Sequence, residues 1–181
     1  MENQRTTTDR YKVFDNVMGE VFDETTKKNL KDKLTVMDFF TAPASTNYHG
    51  NYEGGLFDHS VLVTMSLVSL TRRLELKWER KESPYVVGMF HDLCKCDQYI
   101  KTAEGYAYNN DMWLTGHGEK SVILAQRIYP LTVEEIACIR WHMGAFDEKV
   151  NWNRYGKAIE EYNNVLYTHT ADMMAARILG V

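Results

Sequence analysis

Six histidines punctuate the 181 residues: His49, His59, His91, His117, His142 and His169. Two aspartates belong with them, Asp92 directly after His91 and Asp172 three residues after His169. Neutral imidazole and carboxylate are natural ligands of divalent metals, and both are costly to bury in an apolar core without a partner. His59 shares a helical face with Leu62, Val63, Ser66 and Leu70, and His117 shares one with Ser121, Leu124 and Ile128. His142 follows Cys138 and Ile139 at helical spacing, and Asp172 lies on the face of Val165, Thr168, Ala176 and Leu179. Each polar group thus points at the core from a different helix, and a bound metal would satisfy them together. On a helix His91 and Asp92 stand about 100° apart, so both reach one point only at close range. The two oxygens of a carboxylate there can bridge two ions.

The elements that must hold these groups are mostly helices, because the apolar residues recur at three- and four-residue steps. Residues 9–22 and 26–40 form an N-terminal pair of amphipathic helices. The lysines of the second, Lys27, Lys28, Lys31 and Lys33, read as a solvated face. Residues 42–56 are a loop ending in Gly54-Gly55, followed by a long helix over 57–77. Ser83-Pro84 supplies an N-cap and a first-turn proline for a helix running to about residue 95. Residues 99–109 read as a small β-hairpin with Gly105 in its turn. Helices resume over 117–129 and, after the capping box Thr132–Glu135, up to about residue 142. A loop over 144–156 leads to a final helix over 157–179. The fold class is all-α: a helical bundle with a small hairpin, in one domain over 1–181.

Composition agrees and excludes other classes. The chain is 44% hydrophobic and 25% charged, with 3 prolines and 11 glycines, which is ordinary globular usage and rules out collagen-like and disordered chains. Cys94, Cys96 and Cys138 cannot all pair and fit no zinc-ribbon or thioredoxin spacing, so they read as buried free thiols of a reducing compartment. The polar start MENQRTTTDR is no signal peptide, and no apolar run is long enough to span a bilayer. The expectation is a cytoplasmic protein without a membrane partner. A net charge of −4 weighs against a role on nucleic acid.

The local words around these residues carry a resemblance. His59, His91-Asp92 and Asp172 resemble the H…HD…D signature of the HD-domain metal-dependent phosphohydrolases. GGLFDHS around His59 and FHDLCK around His91-Asp92 are similar to that superfamily's opening and HDIGK words, with Cys94 where a glycine is commoner. IRWHMG and THTADMMAAR resemble its later histidine and aspartate segments. With His117 and His142 added, the order is similar to the H…HD…H…H…D of the two-metal branch, as in the HD-type dinucleoside polyphosphate hydrolases. The stretch APASTNYHGNYEGGL, with His49 about ten residues before His59, also resembles the HD domain of bacterial 3′-to-5′ exoribonucleases. The resemblance covers residues 42–177.

The resemblance implies one ion held by His59, His91, Asp92 and Asp172, and a second held by Asp92, His117 and His142. Two divalent ions at such a centre polarise a phosphoryl oxygen and activate water for attack at phosphorus. The mixed N/O ligands suit Fe, Mn, Co or Ni, with Zn or Mg compatible. It also implies catalytic roles for Asp92, Lys95 and His169. Lys95 becomes a phosphate contact that neutralises developing charge, the alternative being an ion pair with a nearby carboxylate such as Asp97 or Asp58. His169 would bind phosphate, donate a proton to the leaving group, or support a ligand from behind. His49, on a loop, reads as a substrate contact. Tyr99, Tyr106, Tyr108 and Trp113 could form a lid on which a base stacks, or simply pack. GHGEKS lacks the first glycine of a phosphate loop.

The implied activity is hydrolysis of a phosphoester or phosphoanhydride of a small nucleotide-like substrate. One alternative is a 3′–5′ exonuclease on single-stranded RNA or DNA. Against it stand the acidic balance and the lack of an appended oligonucleotide-binding domain. The basic residues Arg72, Arg73, Lys77, Arg80 and Lys81 are also diluted by Glu75, Glu79 and Glu82. A second alternative, a non-catalytic metal-stabilised nucleotide-binding module, finds no support in the filled ligand positions.

Overall fold

Thr6 opens the first helix, α1 (Thr7–Gly19), with a capping box: its hydroxyl accepts from the Asp9 amide and the Asp9 carboxylate accepts from the Thr6 amide. The computed structural model describes residues 5–48 and 50–180. Asp23 caps α2 (Glu24–Val36), and α1 and α2 pack through Phe14, Met18, Leu30 and Leu34. The lysine run of α2 is not simply a solvated face. Lys27 is buried, its stem lying beneath α1 with its ammonium on Glu24, while Lys31 pairs with Asp15 and Lys33 donates to the Ile128 carbonyl. Long aliphatic stems cover apolar surface while the charged tip finds a partner.

After the loop ending in Gly54, α3 (Gly55–Leu74) forms the buried centre of the bundle, and α4 (Ser83–Phe90) packs across it. Ser83 is the first helical residue, not the cap; Glu82 precedes the helix and the Ser83 hydroxyl is buried without a partner. α4 also stops short of residue 95. Asp92 leaves helical geometry (φ −111°, ψ 21°), and Leu93–Cys96 form a 3₁₀ turn. The reason is tertiary: the Cys94 amide donates to the Ser121 hydroxyl rather than to its own helix.

The hairpin forms, with β1 (Tyr99–Thr102) antiparallel to β2 (Gly105–Tyr108). Thr102 pairs with Gly105, so Ala103-Glu104 make the turn and Gly105 (φ 130°) closes it. Helix α5 (His117–Ile128) and α6 (Val133–Trp141) follow, α6 opened by the expected Thr132–Glu135 capping box.

Beyond α6 the expected long loop is largely helical. Gly144–Phe146 and Lys149–Asn151 are 3₁₀ turns, and α7 (Trp152–Glu161) starts well before residue 157. Tyr155, Ala158 and Ile159 form its packed stripe, and Gly156 faces open space, where a glycine in a helix is tolerated. The single last helix expected over 157–179 is broken. Tyr162 is extended, and α8 (Asn164–Met174) begins where the buried Asn164 amide bonds the Lys77 carbonyl and Glu134. Ala175–Leu179 continue as a π turn, which leaves Leu179 exposed rather than on the buried stripe. No described helix is long and apolar enough to cross a membrane.

Candidate metal centre

Five helices, two of them through their C-terminal ends, bring six side chains together. His59 comes from the first turns of α3, His91 and Asp92 from the end of α4, His117 from the first residue of α5, His142 from the end of α6, and Asp172 from α8. Two close crossings make this possible. A Cβ on Gly88 would stand 2.5 Å from the Thr64 Cα, and one on Gly118 would stand 2.2 Å from the Arg140 carbonyl oxygen. Only glycine permits α4 to lie so near α3, and α5 so near α6, that their imidazoles meet.

Asp92 divides the cluster between its two oxygens. Oδ2 lies 3.4 Å from His91 Nε2 and 3.7 Å from His59 Nε2, and Asp172 Oδ1 lies 3.1 Å from His59 Nε2 and 3.9 Å from His91 Nε2. Oδ1 faces the other pair, 2.8 Å from His117 Nε2 and 3.3 Å from His142 Nε2. The facing imidazole nitrogens are themselves close: 3.3 Å between His59 and His91, 3.1 Å between His117 and His142. His59, His91, His142, Asp92 and Asp172 are buried, whereas the His117 side chain is 27% exposed.

The tautomers can be argued from the far side of each ring. His91 Nδ1 lies 2.8 Å from the Gly88 carbonyl and His142 Nδ1 2.7 Å from the Ile139 carbonyl. Each Nδ1 therefore carries a proton outward, and in the neutral ring each Nε2 turns a lone pair inward, the arrangement that orients histidines on metals. Lone pairs and carboxylate oxygens then face one another, which is repulsive unless a cation lies among them. Asp92 Oδ1 makes the same point: it is buried and accepts no well-aligned hydrogen bond despite two imidazoles nearby. Three groups have donor atoms within 4.8 Å of one another: His59, His91 and Asp172; His91, Asp92 and His142; and Asp92, Cys94 and His117. The residues present fit divalent metal binding.

Burial alone would raise the Asp92 carboxyl, but the Lys95 ammonium, with His91 and His117, holds it well below the usual carboxylate range. Burial likewise opposes ionisation of Asp172, and the hydrogen bond from His59 with the charges of His91 and His142 outweighs it, so this carboxyl also sits low. Burial pushes His117 below the ordinary imidazole value, against the pull of Asp92.

Lys95 pairs with a nearby carboxylate, as one reading of the sequence had it, but the partner is Asp92. Its ammonium lies 2.7 Å from Asp92 Oδ2, while Asp97 pairs with Lys120 and Asp58 with Arg5 and Arg10. Opposite charge follows the break in the helix, which folds Lys95 back over Asp92. His169 is beside the cluster: its Nδ1 lies 2.7 Å from the His142 carbonyl oxygen and its ring stands near those of Phe146 and Tyr155. His49 lies outside the described residues. Tyr99 faces Tyr108 across the hairpin, and the exposed Trp113 carries the Arg127 guanidinium over its ring at 5.2 Å. Arg80 is consumed by Glu135, the Pro130 carbonyl and the Tyr129 ring.

Two residues escaped the sequence reading. The Cys94 thiol is not an inert core group but lies 3.2 Å from His117 Nδ1, its pKa pushed up to about 12 by burial and by Asp92. Arg10 is buried, donates to the Glu53 carbonyl at 2.6 Å and packs against Gly54 beneath the start of α3. A signal for Cys94 was present: a histidine straight after Gly116 opens a helix and has no preceding turn of its own to hold its ring.

No family model matches the chain, and no solved structure matches it. Over 99 residues, 52% of its length, the chain is 33% identical to the dihydroneopterin 2′,3′-cyclic phosphate phosphodiesterase of Methanocaldococcus jannaschii. The match covers 40% of that protein, so the chain spans less than half the length of this relative.

Proposed function

We propose that this chain is a metal-dependent phosphohydrolase of the HD type. It hydrolyses a phosphoester or phosphoanhydride of a small nucleotide-like molecule and uses two divalent ions, drawn from Fe, Mn, Co or Ni, with Zn or Mg compatible. The observation that carries this is Asp92 with its two oxygens turned to two different histidine pairs. His59, His91, Asp92 and Asp172 hold one ion; Asp92, His117 and His142 hold the other. The similarity to a phosphodiesterase acting on a 2′,3′-cyclic phosphate supports a small phosphodiester as substrate.

When bound, the ions supply Lewis-acid polarisation of a phosphoryl oxygen and an activated water nucleophile. The chain's own groups do the rest. The carbonyls of Gly88 and Ile139 hold the rings of His91 and His142 in the tautomer that presents Nε2. Lys95 keeps an ammonium at the edge of the cluster, where it neutralises negative charge on a phosphoryl group. His169, fastened to the His142 carbonyl, keeps that end of the site in place, and His49 serves as a substrate contact.

The test is metal analysis of the purified protein, then a panel of 2′,3′-cyclic nucleotides, nucleoside triphosphates, dinucleoside polyphosphates and single-stranded oligonucleotides. Small substrates should be cleaved with rates nearly insensitive to salt, since each phosphate contact on a single strand would add a slope of roughly −0.7. Shortening of oligonucleotides at concentrations that leave small nucleotides untouched would replace this substrate class with an exonuclease. Failure to retain any divalent ion would sink the reading itself.

A further inference from the structure

The three pocket-side histidines of known tautomer environment are not held alike. His91 and His142 each stand at the end of a helix, so the carbonyl three residues earlier on the same helix receives Nδ1, at 2.8 and 2.7 Å. His117 is the first residue of α5, and Gly116 before it has φ 89°, outside helical geometry. No turn of its own helix precedes it to offer a carbonyl. Its Nδ1 instead meets Cys94 Sγ at 3.2 Å, reaching from the 3₁₀ turn that follows Asp92. Cys94 is itself fixed, because it is buried and its amide donates to the Ser121 hydroxyl on α5 at 3.1 Å. Ser121 lies one turn beyond His117 on the same helix, so two contacts from Cys94 clamp the first turn of α5 to the segment after α4 that carries Asp92.

We propose that Cys94 is a positioning residue for His117: its sulfur accepts the Nδ1 proton and so presents Nε2 to the ion shared by Asp92, His117 and His142. This rests on the two-ion reading above and deepens it. The thiol takes the part that a backbone carbonyl plays for His91 and His142, and it does so for the one imidazole of the cluster that is substantially open to solvent. Loss of such an orienting partner weakens metal binding by roughly 10- to 100-fold. The loss should fall on one ion, because the Cys94 thiol stands behind His117, which is proposed as a ligand of that ion alone.

The experiment titrates Co²⁺ into the metal-free full chain for the wild type, Cys94→Ala and Cys94→Ser, following stoichiometry by calorimetry and the ligand-field spectrum. The wild type is expected to take two equivalents. Cys94→Ala should keep the first at wild-type affinity and bind the second about 10- to 100-fold more weakly. Cys94→Ser, whose hydroxyl oxygen can accept from Nδ1, should recover most of that loss. Retention of the first equivalent shows that the alanine variant is folded. Equal affinity for the second ion in wild type and Cys94→Ala overturns the proposal, as does loss of both ions together or a serine variant no better than alanine. A wild type that takes fewer than two ions fails differently: it removes the two-ion reading, and this proposal with it.

Discussion

The two halves of the histidine cluster are built to different standards. On one side His59, His91 and Asp172 are buried on the central helices α3, α4 and α8, and their inward-facing ligand atoms lie beside one another and Asp92 Oδ2. On the other, His117 opens a helix, is partly exposed, borders a cavity of about 420 Å³ lined also by Arg140, Phe146 and Asp147, and leans on a thiol. A sealed half with no access suits a group that stays in place. An open half beside a cavity suits exchange of water and substrate. Asp92 is the hinge of the comparison, since it alone faces both.

The largest effect should come from removing that shared residue. Asp92→Ala is expected to lower turnover by at least about 10³-fold and to deplete both ions, read by metal analysis beside the steady-state rate. Near-normal metal content in that variant would erase the distinction between the halves.

Lys95→Met should separate charge from metal holding. Its ammonium touches Asp92 but neither histidine pair, so both ions should stay, bound at least as tightly, while kcat falls roughly 10²-fold. Loss of an ion in this variant would make Lys95 a structural counter-charge instead.

The pairs can then be set against each other. His59→Ala leaves the buried Asp172 oxygen without its nearest imidazole and should cost about 1–3 kcal/mol in urea unfolding of the metal-free protein. His117→Ala, at the open edge, should change that stability by less than about 1 kcal/mol yet remove one equivalent of metal. Equal destabilisation by both would show that the halves are equally structural.

The smallest and most local change is the added methyl. Gly88→Ala drives a Cβ towards the Thr64 backbone and Gly118→Ala towards the Arg140 carbonyl; each overpacks its crossing by about 1–3 kcal/mol. The first should weaken the sealed pair and the second only the open pair, seen as loss of different metal equivalents. The same equivalent lost in both would mean that the two crossings move as one.

Much of this was legible beforehand. Helical periodicity located every α-helix through α6, and the Thr132–Glu135 box set the start of α6 to the residue. The six histidine and aspartate positions expected at the centre do converge: His59, His117 and Asp172 from within helices, His91 and His142 from helix ends, and Asp92 from the break after α4. Less legible were elements decided by contacts from afar. The break at Asp92 depends on the Ser121 hydroxyl, and the gap between α7 and α8 on Asn164 reaching Lys77 and Glu134. The burial of Lys27 depends on the position of α1, which no pattern within α2 describes.

The sequence by itself determined which groups would be forced inward, since spacing along a helix sets the face and the apolar neighbours decide that the face is buried. It also determined that those groups were metal donors by type. Tertiary structure alone decided how they pair: that Asp92 turns one oxygen to each histidine pair, that Lys95 folds onto Asp92, and that a thiol rather than a carbonyl stands behind His117. Distances across helices follow from crossings such as those at Gly88 and Gly118, where a missing side chain sets the approach, and one-dimensional periodicity carries no record of which helix lies on the other side.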